Sequence, residues 1–367
     1  MRNRELKIIL LVFILIVIGL FSIYSATISR LLGKNLSPFL FVERQLIAFI
    51  IGLILFFLIL SFPYRALERS WFFIYLINLI LLIGVFFFGR ETLGAQRWYS
   101  IFGFSFQPSE LSKLFIILSL SGYFCETKKK KGELGITEFF FASLLLFLTA
   151  LAIFLQPDLG TAIIIALTGL FLVFISGIPK RYIIKTIMAF ILLIPFFWFI
   201  LKPYQQQRII TFLNPYKDPL GSGYQVLQGL IAIGSGRVLG KGWLGGQQTH
   251  LNLIPEQHTD FIFTVIGEEF GFIGGVILLL IYYLLFYYLW KIYININENF
   301  GKMIAGGILF SWLIQTFINI GMVLGLLPVV GVPLPFVSFA RSSLITNLMM
   351  LGFLVNISIR SDRMLHV

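Results

Sequence analysis

Residues 251–290 read LNLIPEQHTDFIFTVIGEEFGFIGGVILLLIYYLLFYYLW. A polar turn crowded with Glu256, His258 and Asp260 runs straight into an apolar segment, 262–290, long enough to cross a bilayer. That junction sets the class of the chain: a membrane-spanning helix that opens on carboxylates. Nine more apolar runs of spanning length lie at 8–26, 45–62, 71–89, 109–125, 138–155, 160–178, 182–201, 303–323 and 341–358. The expectation is an all-α integral membrane protein of about ten transmembrane helices. A long loop, 202–261, joins the seventh span to the eighth. No internal repeat or low-complexity linker interrupts the pattern, so residues 1–367 read as a single polytopic membrane domain.

Composition points the same way. The 367 residues are 58% hydrophobic and 12% charged, with mean hydropathy +0.95, more apolar surface than a water-soluble fold can hide. The single Cys125 excludes an internal disulfide, and His250, His258 and His366 are too scattered to suggest a metal triad. A net charge of +12 in a soluble protein would suggest nucleic acid. Here it follows from topology and anionic lipid headgroups, and no nucleic acid partner is expected. With the N-terminus inside, most of the 28 Lys and Arg residues fall on the cytoplasmic side, among them Lys7, the run Lys128 to Lys131, Arg181 and Arg360. Both termini are therefore expected in the cytoplasm. The run KKKK at 128–131 reads as a topology anchor.

The outside loops, 89–108, 202–261 and 324–340, are longer and richer in motifs, so function is expected on that face. Gln225–Gly234 (QVLQGLIAIG) reads as a short amphipathic helix at the interface, with glycines making the turns around it. Carboxylates at the mouth of a membrane bundle are costly and hence functional suspects. Asp260 is either a helix N-cap or a general base, and Thr259 could cap equally well. Glu268 and Glu269 lie about two turns deeper, and at most one of them shares the face of Asp260. They read either as ion-paired or as part of the site. Asp158 in QPDLGT is placed to cap the sixth span. Glu110 and Lys113 in QPSELSKL are an i,i+3 pair, with Ser109 read as the N-cap. Lys113 alternatively offers its charge to an anionic headgroup. Arg97 can bind phosphate, and Trp98 can stack on a sugar or anchor at the interface. Arg208, Lys217, Arg237 and Lys241 put cations on the outer face, which read either as a solvated loop or as a site for a diphosphate group. No Walker A loop, HExxH, GxSxG or CxxC pair is present, which argues against ATPase, zinc protease and serine hydrolase readings.

Taken together these segments resemble the SEDS family of cell-wall polymerases. GAQRW at 94–98, FQPSELSK at 106–113, QPDLGT at 156–161, NPYKDPLGSGYQ at 214–225, AIGSG at 232–236, GKGW at 240–243, PEQHTDFIF at 255–263 and LPVVGVPLPFVS at 327–338 carry the resemblance over nearly the whole chain. NPYKDPLGSGY and LPVVGVPLP favour the elongation branch, the RodA type, over the division branch. The resemblance implies a multi-pass protein of the bacterial cytoplasmic membrane that polymerises lipid II into glycan strands. The work is done at the outer face during elongation and shape maintenance, with release of undecaprenyl diphosphate. It implies Asp260 as the catalytic aspartate and a class B penicillin-binding protein as partner. One departure is visible: where the family usually has Tyr-Gly-Gly, this chain has Phe339-Ala340-Arg341, which places a charge beside the expected cavity.

The expected mechanism is inverting. Asp260 takes the proton from the acceptor hydroxyl, and Arg208, Lys113 and Arg97 hold the diphosphate of the growing strand. Glu110, Asp158, Glu256, His258, Gln225 and Trp98 complete the expected substrate site. A divalent cation, Mg²⁺ or Mn²⁺, bridging diphosphate and carboxylate is compatible with this chemistry, with no ligands assigned. The competing readings are a lipid II flippase or other transporter, and a non-catalytic scaffold of the cell-wall synthase.

Overall fold

A computed structural model describes the chain apart from residues 1–2, 93–94, 102–103, 187, 189–191, 193–198, 200, 202, 218–222, 252 and 364–367. Helices α1 (Asn3–Leu32) and α2 (Leu40–Ser61) are followed by a 3₁₀ turn, Tyr64–Ser70, that leads into α3 (Trp71–Phe88). Next come α4 (Pro108–Lys131), α5 (Ile136–Leu155) and α6 (Leu159–Ile175). The expected seventh span, 182–201, falls largely outside the described residues. The long loop contains α7 (Pro203–Leu213), α8 (Tyr224–Ser235) and α9 (Gln247–His250). The chain then closes with α10 (Ile262–Asn295), α11 (Asn299–Val323) and α12 (Arg341–Arg363).

Among the described residues, seven helices are long and apolar enough to cross a membrane: α1, α2, α3 with its 3₁₀ lead, α5, α10, α11 and α12. The apolar window of α12 is 89% buried and that of α11 78%, against 22% for α2, α3 and α10. The first two are therefore the centre of the bundle, and the other three face lipid. Apolar side chains gain little by leaving lipid for protein, so packing and buried polar links must hold such a bundle. The Trp312 indole donates to Asn347 Oδ1 at 2.9 Å and joins α11 to α12. Asn356 Nδ2 donates to the carbonyls of Ile59 and Phe62 and joins α12 to the end of α2. Ser358 Oγ donates to Glu5 Oε1 at 2.6 Å, so the start of α1 and the end of α12 lie on one face, as expected from the charge pattern.

Two features were not expected. Residues 90–106, read as loop, form a three-stranded antiparallel sheet, β1 (Arg90–Thr92), β2 (Ala95–Ile101) and β3 (Phe104–Phe106). It is fastened to α3, whose Leu81 carbonyl accepts from Tyr99 Oη at 3.0 Å. The second feature is a break in α10. Gly271 has φ 64° and ψ −158°, which a side chain would strain. The freed amides of Phe272 and Ile273 donate instead to the carbonyls of Arg237 and Val238 in the long loop, at 2.9 and 3.2 Å. Helix α8 forms where a short amphipathic helix was expected, with Val226, Gly229 and Ala232 buried as it packs on α10.

Candidate active site

The outer ends of α4, α6, α10 and α12, together with β2 and the 331–340 segment, enclose a cavity of about 310 Å³. Asp260, Glu256, Thr259, Asp158, Glu110, Arg97 and Trp98 line it, with Gln107, Ser342 and Ser343. Sequence reading thus named six residues that the fold does bring to one wall: Asp260, Glu256, Asp158, Glu110, Arg97 and Trp98.

Asp260 does not cap its helix. The N-cap of α10 is Phe261, with no side-chain cap, and Thr259 Oγ1 donates back to the Glu256 carbonyl at 2.9 Å. The carboxylate of Asp260 is left to the cavity, where a Cβ on Gly331 would come within 3.2 Å of Oδ2. Burial raises the Asp260 pKa from 3.8 to about 7, and the nearby charges of Glu256 and Asp158 push the same way. Arg208 and the nearby Thr259 pull against them. The group therefore exchanges its proton near neutral pH, where a general base works best.

The turn that carries Asp260 is held from three sides. Glu256 has φ 49°, a left-handed conformation costing a non-glycine residue on the order of 1 kcal/mol. The Thr259 amide and hydroxyl both donate to its carbonyl. Gln225 Nε2 donates to the Pro255 carbonyl at 2.9 Å, so Gln225 positions the turn and does not reach the cavity. Asn319 Nδ2 donates to the Asp260 carbonyl at 2.8 Å and to the Val332 carbonyl at 2.6 Å. It ties α11 to both the turn and the 331–340 segment. Asn319 and Gln315 escaped the sequence reading. The signal was there, since polar residues one turn apart inside an apolar helix are expected to face a partner or a cavity.

Asp158 is both cap and cross-link. Its Oδ1 accepts from the Thr161 amide at 3.2 Å, while Oδ2 accepts from Gln107 Nε2 at 2.8 Å and Ser109 Oγ at 2.9 Å. Ser109 is therefore not the N-cap of α4. Pro108 takes the first helical position, where its missing N–H and fixed φ cost nothing, and Gln107 becomes the cap residue. The Gln107 amide finds its acceptor in Ser342 Oγ at 2.9 Å.

Lys113 is placed differently from expectation. Its side chain is 1% exposed, 2.7 Å from Glu110 and 2.8 Å from Gln315 Oε1, and it lies behind the cavity wall. It holds Glu110 in place and is not free to grip a headgroup. Arg208 lines a neighbouring groove of about 140 Å³ with Thr211, Phe212, Leu230 and Leu327. Its charge still reaches Asp260. Arg97 lines the cavity itself, and its buried Nε has no hydrogen-bond partner among the described residues.

His258 is corrected to a packing residue. Its ring lies 4.7 Å from Phe41 and 5.5 Å from Phe339, and its carbonyl accepts from the Phe339 amide. Burial, with Arg30 nearby, lowers its pKa to about 4, so it is neutral at physiological pH. Glu268 and Glu269 both leave the site. Glu268 accepts from Lys241 Nζ, the amides of Gln248 and Thr249, and the Thr249 hydroxyl. Glu269 accepts from Ser25 Oγ on α1. Lys241 is thereby committed to structure, and the side chain of Lys217 lies outside the described residues. Arg341 begins α12 but does not line the cavity, whose wall there is Phe339, Ala340, Ser342 and Ser343. No group of three potential metal ligands converges among the described residues.

Comparison with known proteins places this architecture. The profile of the FtsW, RodA and SpoVE cell cycle proteins matches residues 5–363. The chain is 40% identical over 326 residues to the peptidoglycan glycosyltransferase MrdB of Escherichia coli, covering 88% of this chain and 86% of the relative. It is 36% identical to stage V sporulation protein E of Bacillus subtilis, with 97% of each covered. Among solved structures it superposes on a chain from a study of how a peptidoglycan synthase complex coordinates polymerization and crosslinking. The TM-score is 0.80 at 30% identity, over 96% of this chain and 97% of that one. The Thermus thermophilus rod shape determining protein RodA matches with a TM-score of 0.70 at 27% identity, over 96% of this chain and 95% of that one. With its multi-pass helical bundle and its cavity on the outer face, this chain belongs to the FtsW/RodA/SpoVE family of the bacterial inner membrane.

Proposed function

We propose that the chain polymerises lipid II into glycan strands at the outer membrane face, with Asp260 as general base. The observation that carries the reading is one cavity that joins a carboxylate titrating near 7, the Nε of Arg97, unpartnered among the described residues, and the indole of Trp98. The acceptor sugar hydroxyl gives its proton to Asp260 as its oxygen attacks the anomeric carbon of the donor. The bond to the lipid diphosphate breaks as the new glycosidic bond forms. Arg97, from β2, and Arg208, from the neighbouring groove, offset the charge that develops on the leaving diphosphate. The apolar groove beneath Arg208 suits the isoprenoid chain attached to it.

No group of three potential ligands converges among the described residues, and Asp158 has its oxygens committed to protein donors. A divalent ion arriving with the diphosphate would be held by Glu256, leaving Asp260 free as the base. When bound, the ion would lower the charge on the leaving group. The transpeptidase partner is a class B penicillin-binding protein, by analogy with the coordinated synthase complex. The decisive experiment measures polymer from labelled lipid II, comparing wild type with Asp260→Asn, each with and without the cognate transpeptidase. Polymer from wild type only is the expected result. Equal polymer from both proteins would remove Asp260 from the chemistry, and none from either would move the function to translocation or scaffolding.

A further inference from the structure

The opposite, basic face of the bundle carries a second polar cavity, of about 90 Å³, that the proposed reaction does not use. It opens where α4, α6 and α10 end and α11 begins. Lys128 and Lys302 face it, with Ser176, Asn299, Tyr293 and the thiol of Cys125. The lysine run 128–131 divides sharply here. Lys129 pairs with Glu68 at 2.5 Å, Lys130 with Glu126 at 2.6 Å and Lys131 with Glu138 at 2.6 Å. Lys128 has no carboxylate within ion-pair reach among the described residues, and it shares the cavity with Lys302 instead.

Glu68 and Glu298, whose charges reach the cavity at Cys125, have other hydrogen-bond partners. Glu298 accepts from Tyr64 Oη and the amides of Phe300 and Gly301, and Glu68 is held by Lys129. Lys302 lies over the Tyr293 ring at 5.5 Å, which fixes its position without neutralising it. Lys128 and Lys302 thus offer two positive charges to an anion that enters the cavity. An apolar wall continues from this site into the bilayer. Phe171 lies one turn from Ile175 on the same face of α6, and Phe310 lies about two turns from Lys302 on α11. Their rings stack at 4.4 Å, 2° from parallel.

We propose that this cavity binds the phosphate of an anionic phospholipid of the cytoplasmic leaflet. Lys128 and Lys302 clamp the phosphate, Ser176 and Asn299 lie beside it, and an acyl chain runs along the Phe171–Phe310 pair. The test uses the full-length protein in nanodiscs of phosphatidylcholine containing a minor fraction of phosphatidylglycerol. Native mass spectrometry counts the lipid retained, and the alkylation rate of Cys125, the only thiol of the chain, reports on the cavity. Lys128→Ala and Lys302→Ala should each weaken phosphatidylglycerol retention about fivefold, and the double variant about 25-fold. Lys128→Arg should retain it, which separates loss of charge from loss of fold. Lys130→Ala should change nothing, and phosphatidylglycerol, unlike phosphatidylcholine alone, should slow Cys125 alkylation. Equal losses from Lys130→Ala and Lys128→Ala would reduce the effect to bulk attraction and overturn the site. Protection of Cys125 by inorganic phosphate in lipid-free micelles, equal to that by phosphatidylglycerol, would replace the lipid with a soluble anion.

Discussion

The sharpest prediction concerns the proton on Asp260. With its pKa at about 7, the carboxylate is roughly 10% ionised at pH 6 and roughly 90% at pH 8. Turnover limited by this base should therefore rise about ninefold between those values. The neighbours give the test its direction. Glu256 raises the pKa of Asp260 and Arg208 lowers it. Glu256→Gln should thus move the midpoint down and Arg208→Gln should move it up. Linkage gives an independent readout in the same protein. A carboxyl whose folded pKa exceeds its unfolded value of 3.8 stabilises the fold below about pH 4, and that contribution is lost as pH rises through about 7. A pKa of about 7 in place of 3.8 corresponds to about 4 kcal/mol at most, at about 1.4 kcal/mol per pH unit. Asp260→Asn should then be inactive yet melt higher than wild type at pH 8, with the difference vanishing near pH 4. The assay is initial-rate polymerisation of labelled lipid II from pH 5.5 to 8.5, paired with thermal unfolding in the same detergent. A flat rate profile, or a midpoint that moves the same way in both variants, would refute the argument.

Three further outcomes follow from the geometry. Lys113→Met leaves Glu110 buried without its cation and should destabilise the protein by about 3–5 kcal/mol. Adding Glu110→Gln should recover much of that loss, as unfolding of the single and double variants will show. Gly331→Ala places a Cβ 3.2 Å from Asp260 Oδ2 at a backbone φ of 72°. Strain of about 1–2 kcal/mol beside the base should cut turnover about tenfold while the protein still folds, read from kcat and melting together. Glu268→Gln weakens the cluster that receives Lys241, Gln248 and Thr249, so limited proteolysis within 241–250 should accelerate well before global unfolding changes.

Long apolar runs are the strongest signal in such a chain, and α1, α2, α3, α5, α10, α11 and α12 stand close to where hydropathy put them. What hydropathy does not encode is direction and partnership. Asp260 and Glu269 look alike in sequence, yet the packing of α1 brings Ser25 to Glu269 while Asp260 is left to the cavity. Lys113 carries the charge expected of a headgroup ligand, but α11 brings Gln315 to it and closes the pair. His258 sits two residues from Asp260 and still points into an aromatic cluster. The sheet at 90–106 was missed because its strands are short and their alternation weak. Residue types gave the chemistry of the site, and only long-range contacts decided which of them share it.

The break at Gly271 has a consequence for biosynthesis. Two amides inside a spanning helix are satisfied by carbonyls of residues 237 and 238. In hydrocarbon such amides cannot stay unpaired. Because 237 and 238 precede 272 and 273 in the chain, the acceptors are synthesised before the donors. The loop thus completes the backbone pairing of the helix that follows it. A chain cut at 237–238 would leave the amides of Phe272 and Ile273 without acceptors, and α10 should be destabilised at its break.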